Sequence, residues 1–330
     1  MIPQALTVDD VARSYKRDLE LVDQEIQKNL ETFISPIYTV GMHIFSGGGK
    51  RIRPLLVILS ARLSGSTNGR DEIVLANVIE TIHTASLLHD DVIDGSPMRR
   101  GKPVANSIWG NQVVILVGDF LYANALLIAS RLKKIKIIEI LSMVISSMAR
   151  GELLELQKIG DIKINESDYL KIIEDKTAKL MSAACCFGAV AADASPEKEK
   201  ALCTFGMKLG LTFQLVDDIL DFMADEKELG KKLGNDLREG KITYPLIHLL
   251  KVAEPQEVEA IEEVIASDTI ENGKLSYVLE LLDRYMAIEK SYEKARSIVE
   301  EAKQELNVFE DSLEKNSLMA IADYALSRDK

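Results

Sequence analysis

The chain has 330 residues, of which 47% are hydrophobic and 28% are charged, and its formal net charge is -12. This acidic balance argues against a general nucleic-acid-binding or anionic-membrane-binding surface, because nucleic acids and anionic lipids attract cationic surfaces. The hydrophobic fraction supplies a substantial core, and no linker rich in Pro, Ser or Gly divides the sequence. We therefore predict a single domain over residues 1–330 and no nucleic-acid partner.

Three sequence features bear on the cellular location. The first ten residues lack a basic segment followed by an apolar one, so a secretory signal is not expected. The apolar runs at 55–59, 113–117 and 181–192 are shorter than the roughly 20 residues that cross a bilayer. Three cysteines, Cys185, Cys186 and Cys203, form neither a disulfide framework nor a zinc-site spacing. We expect a cytoplasmic protein without a transmembrane helix.

Apolar residues recur at three- and four-residue intervals through most of the chain, which predicts an all-α fold of about ten or more helices. Thr7, Ser167 and Ser195 are candidate N-caps, because a short side-chain oxygen can accept hydrogen bonds from first-turn amides. Beyond residue 272 an amphipathic, highly charged pattern predicts peripheral helices. The breaks between helices are expected at 46–49, 64–69, 95–103, 160–167, 193–196 and 225–240.

A glycine-rich basic loop begins within the first of these breaks. Gly47-Gly-Gly-Lys50-Arg51-Ile-Arg53 concentrates cations in an otherwise acidic chain. Glycines let backbone amides approach an anion closely, and the three basic side chains add charge-assisted donors. The spacing is not that of a Walker A loop. Alone, such a loop is often only a turn, so its meaning depends on the other motifs.

The first aspartate cluster ends an apolar helical pattern over residues 81–94. Asp94 lies four residues after Asp90 and three after Asp91, so the three carboxylates share one helix face, where their like charges repel. A hard divalent cation would remove this repulsion, although a single acidic helix end is also common. His83 and His89 suit hydrogen bonding to an anion better than binding Mg²⁺, and His83 is the better phosphate candidate.

A second cluster repeats the first 127 residues later (217 − 90). Asp217, Asp218 and Asp221 lie on another apolar helical pattern, at 213–222. Two such coincidences are improbable, and facing helices of a bundle often carry metal sites. Magnesium usually binds through one or two carboxylates, waters and substrate phosphates. The two clusters therefore predict a metal-bridged diphosphate site.

Seven motifs in order, between about residues 40 and 250, resemble those of the trans-isoprenyl diphosphate synthases. The resemblance implies antiparallel helices around a central cavity, a homodimer, and condensation of isopentenyl diphosphate with an allylic diphosphate. The motifs are Gly-Gly-Lys50-Arg-Ile-Arg53-Pro, His83 seven residues before Asp90, Asp90-Asp-Val-Ile-Asp94, Arg99-Arg100-Gly, Lys176-Thr177, Gln214 before Asp217-Asp-Ile-Leu-Asp221, and Gly240-Lys241-Ile-Thr-Tyr-Pro.

The same resemblance implies roles for these residues. Three magnesium ions would be held by Asp90, Asp94 and Asp217, with help from Asp91, Asp218 and Asp221. Isopentenyl diphosphate would be held by Lys50, Arg53, His83 and Arg100. The allylic diphosphate would be faced by Arg99, Lys176, Thr177, Gln214, Lys231 and Lys241. The metal and these cations would stabilise the departing pyrophosphate, so that an allylic carbocation forms without a protein nucleophile.

Product length is predicted from the helix that leads into the first cluster. Ala85 and Ser86 lie about one turn before Asp90, where the growing chain must pass. A bulky aromatic there stops growth early in this family, so small residues imply a tunnel open to longer chains. We expect an octaprenyl-type product for a quinone side chain, and transient membrane contact on its release. Leu141, Met143 and Met148 are candidate floor residues, and the sequence does not select among them.

Other functions remain open. A short-chain farnesyl or geranylgeranyl diphosphate synthase would share all seven motifs. A terpene cyclase is disfavoured, because it does not need the second diphosphate pocket that the basic motifs indicate. A non-catalytic subunit of a heteromeric synthase would typically have lost carboxylates from one cluster, and here both clusters are intact.

Overall fold

The fold comes from a computed structural model, which describes residues 6–32, 34–67, 69–95, 98–99, 101–223, 233–267 and 270–328. The all-α prediction is confirmed, because the only strands in these residues are β1 (Met98–Arg99) and β2 (Lys102–Pro103), which pair antiparallel. The α-helices are α1 (Val8–Ser14), α2 (Lys16–Leu30), α3 (Ser35–Phe45), α4 (Ile52–Leu63), α5 (Arg70–Asp94), α6 (Ala105–Trp109), α7 (Asn111–Ser130), α8 (Ile135–Lys158), α9 (Glu166–Ile173), α10 (Lys179–Ala191), α11 (Pro196–Leu220), α12 (Asn235–Arg238), α13 (Tyr244–Val252), α14 (Pro255–Ile265), α15 (Asn272–Arg284), α16 (Ala287–Glu305) and α17 (Leu313–Ser327). A π-turn (Glu174–Ala178) lies between α9 and α10, and a 3₁₀ turn (Leu306–Val308) follows α16.

The chain divides into two compact units. Unit 1 comprises the residues up to Ile145 together with Leu180–Gly206 and Glu305–Ile321. Unit 2 comprises Ser146–Lys179, Met207–Gln304 and the residues from Ala322 onward. Each unit gathers three separate stretches of sequence. The single-domain hypothesis for residues 1–330 stays a prediction.

Unit 1 is built around α5, which packs against α2, α4 and α7. Buried residues occur on nearly all sides of α5, as expected for a helix surrounded by others. Helix α4 contributes eight consecutive buried residues, from Pro54 to Ala61. This packing fixes the axis of α5 and therefore the place where its C-terminal carboxylates project.

Unit 2 has its own hydrophobic core, formed by side chains from α9, the C-terminal part of α11, and α12 to α16. Leu215, Val216 and Ile219 of α11 are fully buried in it, beside Leu246 of α13 and Leu281 of α15. The core therefore holds one side of α11 in place, and the second aspartate cluster lies on the same helical segment.

The N-cap predictions have mixed outcomes. Thr7 is confirmed, because its hydroxyl accepts from the Asp10 amide in a capping box. Ser195 also accepts from the amide three residues later, at 3.4 Å. The prediction for Ser167 is wrong: α9 begins at Glu166, and Asn165 caps it by accepting from the Asp168 amide at 3.1 Å. Asn165, two residues before Ser167, takes the cap position, so the helix begins before Ser167.

Two structural observations bear on the expectations about location. A disulfide joins Cys186 to Cys203, so the cysteine count does not argue for a reducing compartment, and the cytoplasmic location stays a prediction. The run at 113–117 is part of α7, which spans 20 residues with a mean hydropathy of 2.0. By length and composition α7 meets the requirement for a membrane span. A core helix meets it too, and α7 packs along α5.

Candidate active site

The first aspartate cluster occupies the last turn of α5, which ends at Gly95. The exposed carbonyls of a helix C-terminus carry partial negative charge, which basic side chains usually offset. The last turn of α5 contains no basic residue. Gly95 adopts a φ of +62°, a left-handed conformation that suits glycine and stops the helix. Three carboxylates are therefore concentrated where the backbone favours cations, and a bound divalent ion would relieve the repulsion.

The three carboxylates do not have equal surroundings. Asp91 is buried, and Arg99 donates from Nε to its Oδ1 at 2.6 Å. Burial raises the pKa of Asp91, and the adjacent Arg99 guanidinium opposes that rise. Asp90 is partly exposed and Asp94 is exposed. The structure thus brings the predicted substrate contact Arg99 to the cluster, as a partner of its most buried member.

The basic loop before α4 lies in unit 1. Arg51 has a structural role, because its guanidinium pairs with Glu80 at 2.6 Å and with Asp23 at 3.1 Å. Lys50 pairs with Asp9 at 2.8 Å. Arg53 lies in the first turn of α4, and His83 is half-buried on α5. Arg51 is therefore not available as the phosphate donor that the loop pattern suggested.

The residues predicted to control product length differ in burial. Ala85 is fully buried, whereas Ser86 is partly exposed and donates from its hydroxyl to the His83 carbonyl at 2.8 Å. Among the floor candidates, Leu141 and Met148 are buried, but Met143 is 62% exposed. Met143 therefore does not form part of a buried floor.

Unit 2 contains a polar cavity of about 100 Å³. Lys176, Gln214, Asp218 and Lys241, which were all predicted from sequence, line it. Because three lysines, an amide and three carboxylates line one small space, the cavity suits an anion held together with a metal ion. The other lining residues are Glu155, Lys158, Ile164, Tyr169, Ile172, Ile173, Asp236, Ile242 and Thr243.

Asp218 is the centre of a hydrogen-bonded chain in this cavity. Tyr169 donates to Oδ2 at 2.6 Å, and Gln214 donates to Oδ1 at 2.8 Å. Thr177 in turn donates to Gln214 Oε1 at 2.8 Å. Burial raises the pKa of Asp218, and the bonds from Tyr169 and Gln214 lower it by less. The chain fixes the orientation of Thr177, Gln214 and Asp218 together.

Lys176 and Lys241, two of the three lysines that line the cavity, are paired with carboxylates. Lys176 contacts Glu155 at 2.6 Å and Glu152 at 2.9 Å, and Lys241 contacts Glu239 at 2.7 Å. Burial lowers the pKa of Lys176, but the two glutamates raise it by more, so this ammonium stays charged. An anionic ligand would therefore meet the charged ammonium of Lys176 and the side chain of Lys241, whose present partners are carboxylates.

The other two residues of the second cluster point to different partners. Asp217 is 52% exposed and pairs with Arg328 at 3.0 Å. Asp221 accepts from the backbone amides of Asn235 and Asp236 at 3.1 and 3.0 Å, so it caps the short helix α12. The cluster thus has one exposed, one buried and one capping carboxylate.

A model of the family described as polyprenyl synthetase matches residues 35–282. The chain belongs to the polyprenyl synthetase family. It is 39% identical over 316 residues to the octaprenyl diphosphate synthase of Escherichia coli, covering 95% of this chain and 97% of that one. It is also 34% identical over 330 residues to a short chain isoprenyl diphosphate synthase of Methanothermobacter thermautotrophicus, covering 98% and 99%.

A solved structure supports the same family membership. The polyprenyl synthase of Caulobacter crescentus, crystallised with calcium and isoprenyl diphosphate, matches with a TM-score of 0.93 and 37% identity. The match covers 99% of both chains. The predicted resemblance and the all-α fold are thereby confirmed.

Both clusters fit a divalent metal by their donor chemistry, because hard cations prefer carboxylate oxygens. In the described part of the chain, however, no three His, Cys, Asp or Glu side chains converge on one point where an ion could bind. Each cluster therefore needs oxygens from another source, as a diphosphate would provide. Magnesium with few protein ligands is typical of phosphate-binding sites.

Sequence reasoning missed several residues of this site. Glu152 and Glu155 are three apart on α8, the same spacing as in the aspartate clusters, so their pattern was a usable signal. Asp236 is buried in the cavity, and burial together with Asp218 and Asp221 raises its pKa. Asp236 reaches the cavity because the segment after Gly234 packs beside Asp221. Arg100 and Lys231, two predicted substrate contacts, lie outside the described residues.

Proposed function

We propose that this polyprenyl synthetase is a trans-prenyltransferase that condenses isopentenyl diphosphate with an allylic diphosphate. The observation that carries the proposal is the unit 2 cavity, where Lys176, Lys241 and Gln214 line the same space as the buried carboxylate Asp218, and Thr177 donates to Gln214. Cations and hydroxyl or amide groups are the groups that bind a diphosphate. A carboxylate in their midst suits a metal ion that bridges the diphosphate to the protein.

The cavity residues support ionisation of the allylic substrate. Lys176 and Lys241 supply fixed positive charge, and Thr177 is oriented by its hydrogen bond to Gln214. Preorganised charge of this kind stabilises a departing pyrophosphate more than the bound ground state, because negative charge grows on the leaving group. Arg328 and the hydrogen bonds to Asp218 hold the carboxylates in place, so little reorganisation is needed.

The metal is proposed to be Mg²⁺, with three ions when diphosphate is bound. Asp90, Asp94 and Asp217 would hold it, whereas Asp91, Asp218 and Asp221 accept hydrogen bonds from protein groups and would act as supports. When bound, magnesium neutralises the diphosphate and withdraws charge from the breaking bond. Isopentenyl diphosphate is proposed to be held by Lys50, Arg53, His83 and Arg100.

The proposed product is a long-chain polyprenyl diphosphate of octaprenyl type, for use as a quinone side chain. Small residues at positions 85 and 86 support a tunnel that continues past the metal site. The likeness to the octaprenyl diphosphate synthase of Escherichia coli supports the same length. A short-chain product is the second candidate, because the chain is also similar to the short chain isoprenyl diphosphate synthase of Methanothermobacter thermautotrophicus.

The proposed assembly is a homodimer formed through α7. Ile115, Leu116 and Leu127 of this helix are exposed, and Asp119 is its only charged residue. A second copy of the chain would cover this apolar face, as expected for a stable dimer interface. A long polyprenyl product is insoluble in water, so we also propose transient membrane contact when it leaves.

Incubation of the purified full chain with Mg²⁺, farnesyl diphosphate and labelled isopentenyl diphosphate tests the proposal. Labelled polyprenyl diphosphate should form only when both substrates are present. A terpene cyclase would instead consume the allylic substrate alone, and a non-catalytic subunit would form no product without a partner. Either result would overturn the proposed function.

A further inference from the structure

The π-turn (Glu174–Ala178) carries the two motif residues Lys176 and Thr177. The Lys179 amide donates to the Glu174 carbonyl five residues earlier, which is the hydrogen bond that defines a π-turn. Such a turn takes up one residue more than an α-helical turn, so it changes which side chains face a given side. Without it, α9 and α10 would present a different pair of residues to the cavity.

We propose that Asp175 is a positioning residue for the allylic diphosphate: its carboxylate fixes the π-turn so that Lys176 faces the cavity and Thr177 reaches Gln214. Asp175 is fully buried and binds three cations on three different segments. Arg150 of α8 donates to Oδ2 at 2.8 Å, and Lys171 of α9 donates to Oδ1 at 3.2 Å. Lys179, at the start of α10, donates to the same Oδ1.

These three partners tie Asp175 to both flanks of its own turn and to a neighbouring helix. Burial raises the pKa of Asp175, but the three cations lower it by more, so the carboxylate stays ionised. An ionised group buried in this way is stable only while its partners surround it. The backbone on either side of Asp175 is therefore held by charged hydrogen bonds rather than by helix propensity.

Two glycines provide a second and independent constraint on the same turn. A Cβ on Gly151 of α8 would lie 2.6 Å from the Lys176 backbone nitrogen, and one on Gly210 of α11 would lie 2.5 Å from the Ala178 Cα. Both contacts are with backbone or Cα atoms, which cannot rotate away. Any larger residue at either position must displace the turn, so both glycines allow the close approach of α8 and α11.

Adjacent residues of the π-turn therefore have different roles. Asp175 faces the cations outside the cavity, whereas Lys176 lines the cavity and Thr177 bonds to Gln214 within the same network. A displacement of about 1 Å in a substrate-positioning group can cost on the order of a hundredfold in rate. Loss of the Asp175 charge should therefore weaken binding of the allylic diphosphate.

The experiment compares Asp175→Asn with Glu174→Gln, and Gly151→Ala with Gly273→Ala. Glu174 is a matched acidic control, because it pairs with the same Lys171 and Lys179 but is partly exposed. Gly273 is a matched glycine control, because an added Cβ there meets nothing within 4 Å. Two properties are measured for each: hydrogen exchange of the 174–179 peptide, and KM for each substrate.

Asp175→Asn and Gly151→Ala should both accelerate exchange of the 174–179 peptide in the ligand-free protein, by about tenfold or more. They should raise KM for farnesyl diphosphate on the order of tenfold to a hundredfold, with KM for isopentenyl diphosphate unchanged. The two controls should match the wild type. Should Asp175→Asn fail to fold, Gly151→Ala carries the same prediction, since it leaves all the charges in place.

The proposal is overturned if the exchange and the allylic KM of Asp175→Asn match those of Glu174→Gln. It is also overturned if exchange accelerates while the allylic KM stays constant. Because the proposal rests on the proposed function, wild-type turnover is measured in parallel. A wild type that makes no product overturns the proposed function, whereas the exchange experiment still reports whether Asp175 holds the turn.

Discussion

Arg328 of the C-terminal segment pairs with Asp217 of the second aspartate cluster, Nη1 to Oδ1, at 3.0 Å. The guanidinium carbon lies 4.5 Å from the centre of the Phe213 ring, and the same side chain donates to the Phe213 carbonyl. Only 8% of the Arg328 side chain is exposed. The end of the chain therefore anchors a proposed metal ligand far away in sequence.

Arg328→Ala should lower the free energy of unfolding by about 2 kcal/mol, because it removes a charged hydrogen bond and a cation–π contact. Turnover should fall about tenfold, since Asp217 loses the group that orients it. Denaturant unfolding and steady-state rates measure these effects. Arg296→Ala, an exposed arginine on α16, is the control. Equal, small effects in both variants would contradict the anchoring role.

Asp218→Asn should change the pH dependence of stability. Burial raises the pKa of Asp218 in the folded protein above its unfolded value, so the folded state binds the proton more tightly. The wild type should therefore lose stability from this group as pH rises from about 4 toward its raised pKa. Melting curves from pH 4 to neutrality should show Asp218→Asn gaining stability relative to the wild type. A constant difference between the two would refute the raised pKa.

Ser86→Phe and Ala85→Phe should have different effects on the enzyme. Ser86 is partly exposed, so a phenylalanine there should shorten the product while turnover is retained. Ala85 is fully buried, and its replacement should cost about 1–3 kcal/mol of stability through overpacking. Product chromatography and thermal melting distinguish the two, with Ser142→Phe at an exposed site of α8 as the control. Unchanged product length in Ser86→Phe would contradict the tunnel assignment.

Magnesium and inorganic pyrophosphate should stabilise the protein jointly rather than singly. In the described residues no three acidic, His or Cys side chains converge on a point that could hold an ion, so the metal needs diphosphate oxygens. Together at a hundredfold excess over Kd they should add about 2.7 kcal/mol. Calorimetry with each ligand alone and with both tests this. Full stabilisation by magnesium alone would show that a complete protein-only metal site exists.

Local sequence patterns predicted much of the fold and of the site. Helices follow from apolar periodicity, and the spacing of Asp90 and Asp94 decides by itself that they share a helix face. Lys176, Thr177 and Gln214 were predicted through their family motifs and do lie together. These features depend on residues close in sequence or on motifs that the family resemblance supplied.

Other features depend on contacts between distant segments and were not predictable from spacing. Asp221 caps α12 through contacts with residues 14 and 15 positions later in the sequence, so its role as a cap had no local signal. The π-turn depends on Gly151, 23 residues before it begins (174 − 151), and on cations from three segments. The disulfide between Cys186 and Cys203 likewise depends on where α10 and α11 place those two residues.

The most direct test of the central claim is the mass of the product made by the purified chain from farnesyl diphosphate, isopentenyl diphosphate and Mg²⁺. We expect a polyprenyl diphosphate of octaprenyl type, and no product from Asp217→Ala or after chelation of the metal. Products that stop at geranylgeranyl diphosphate would contradict the long-chain assignment. Failure of the wild type to join the two substrates would contradict the proposed function itself.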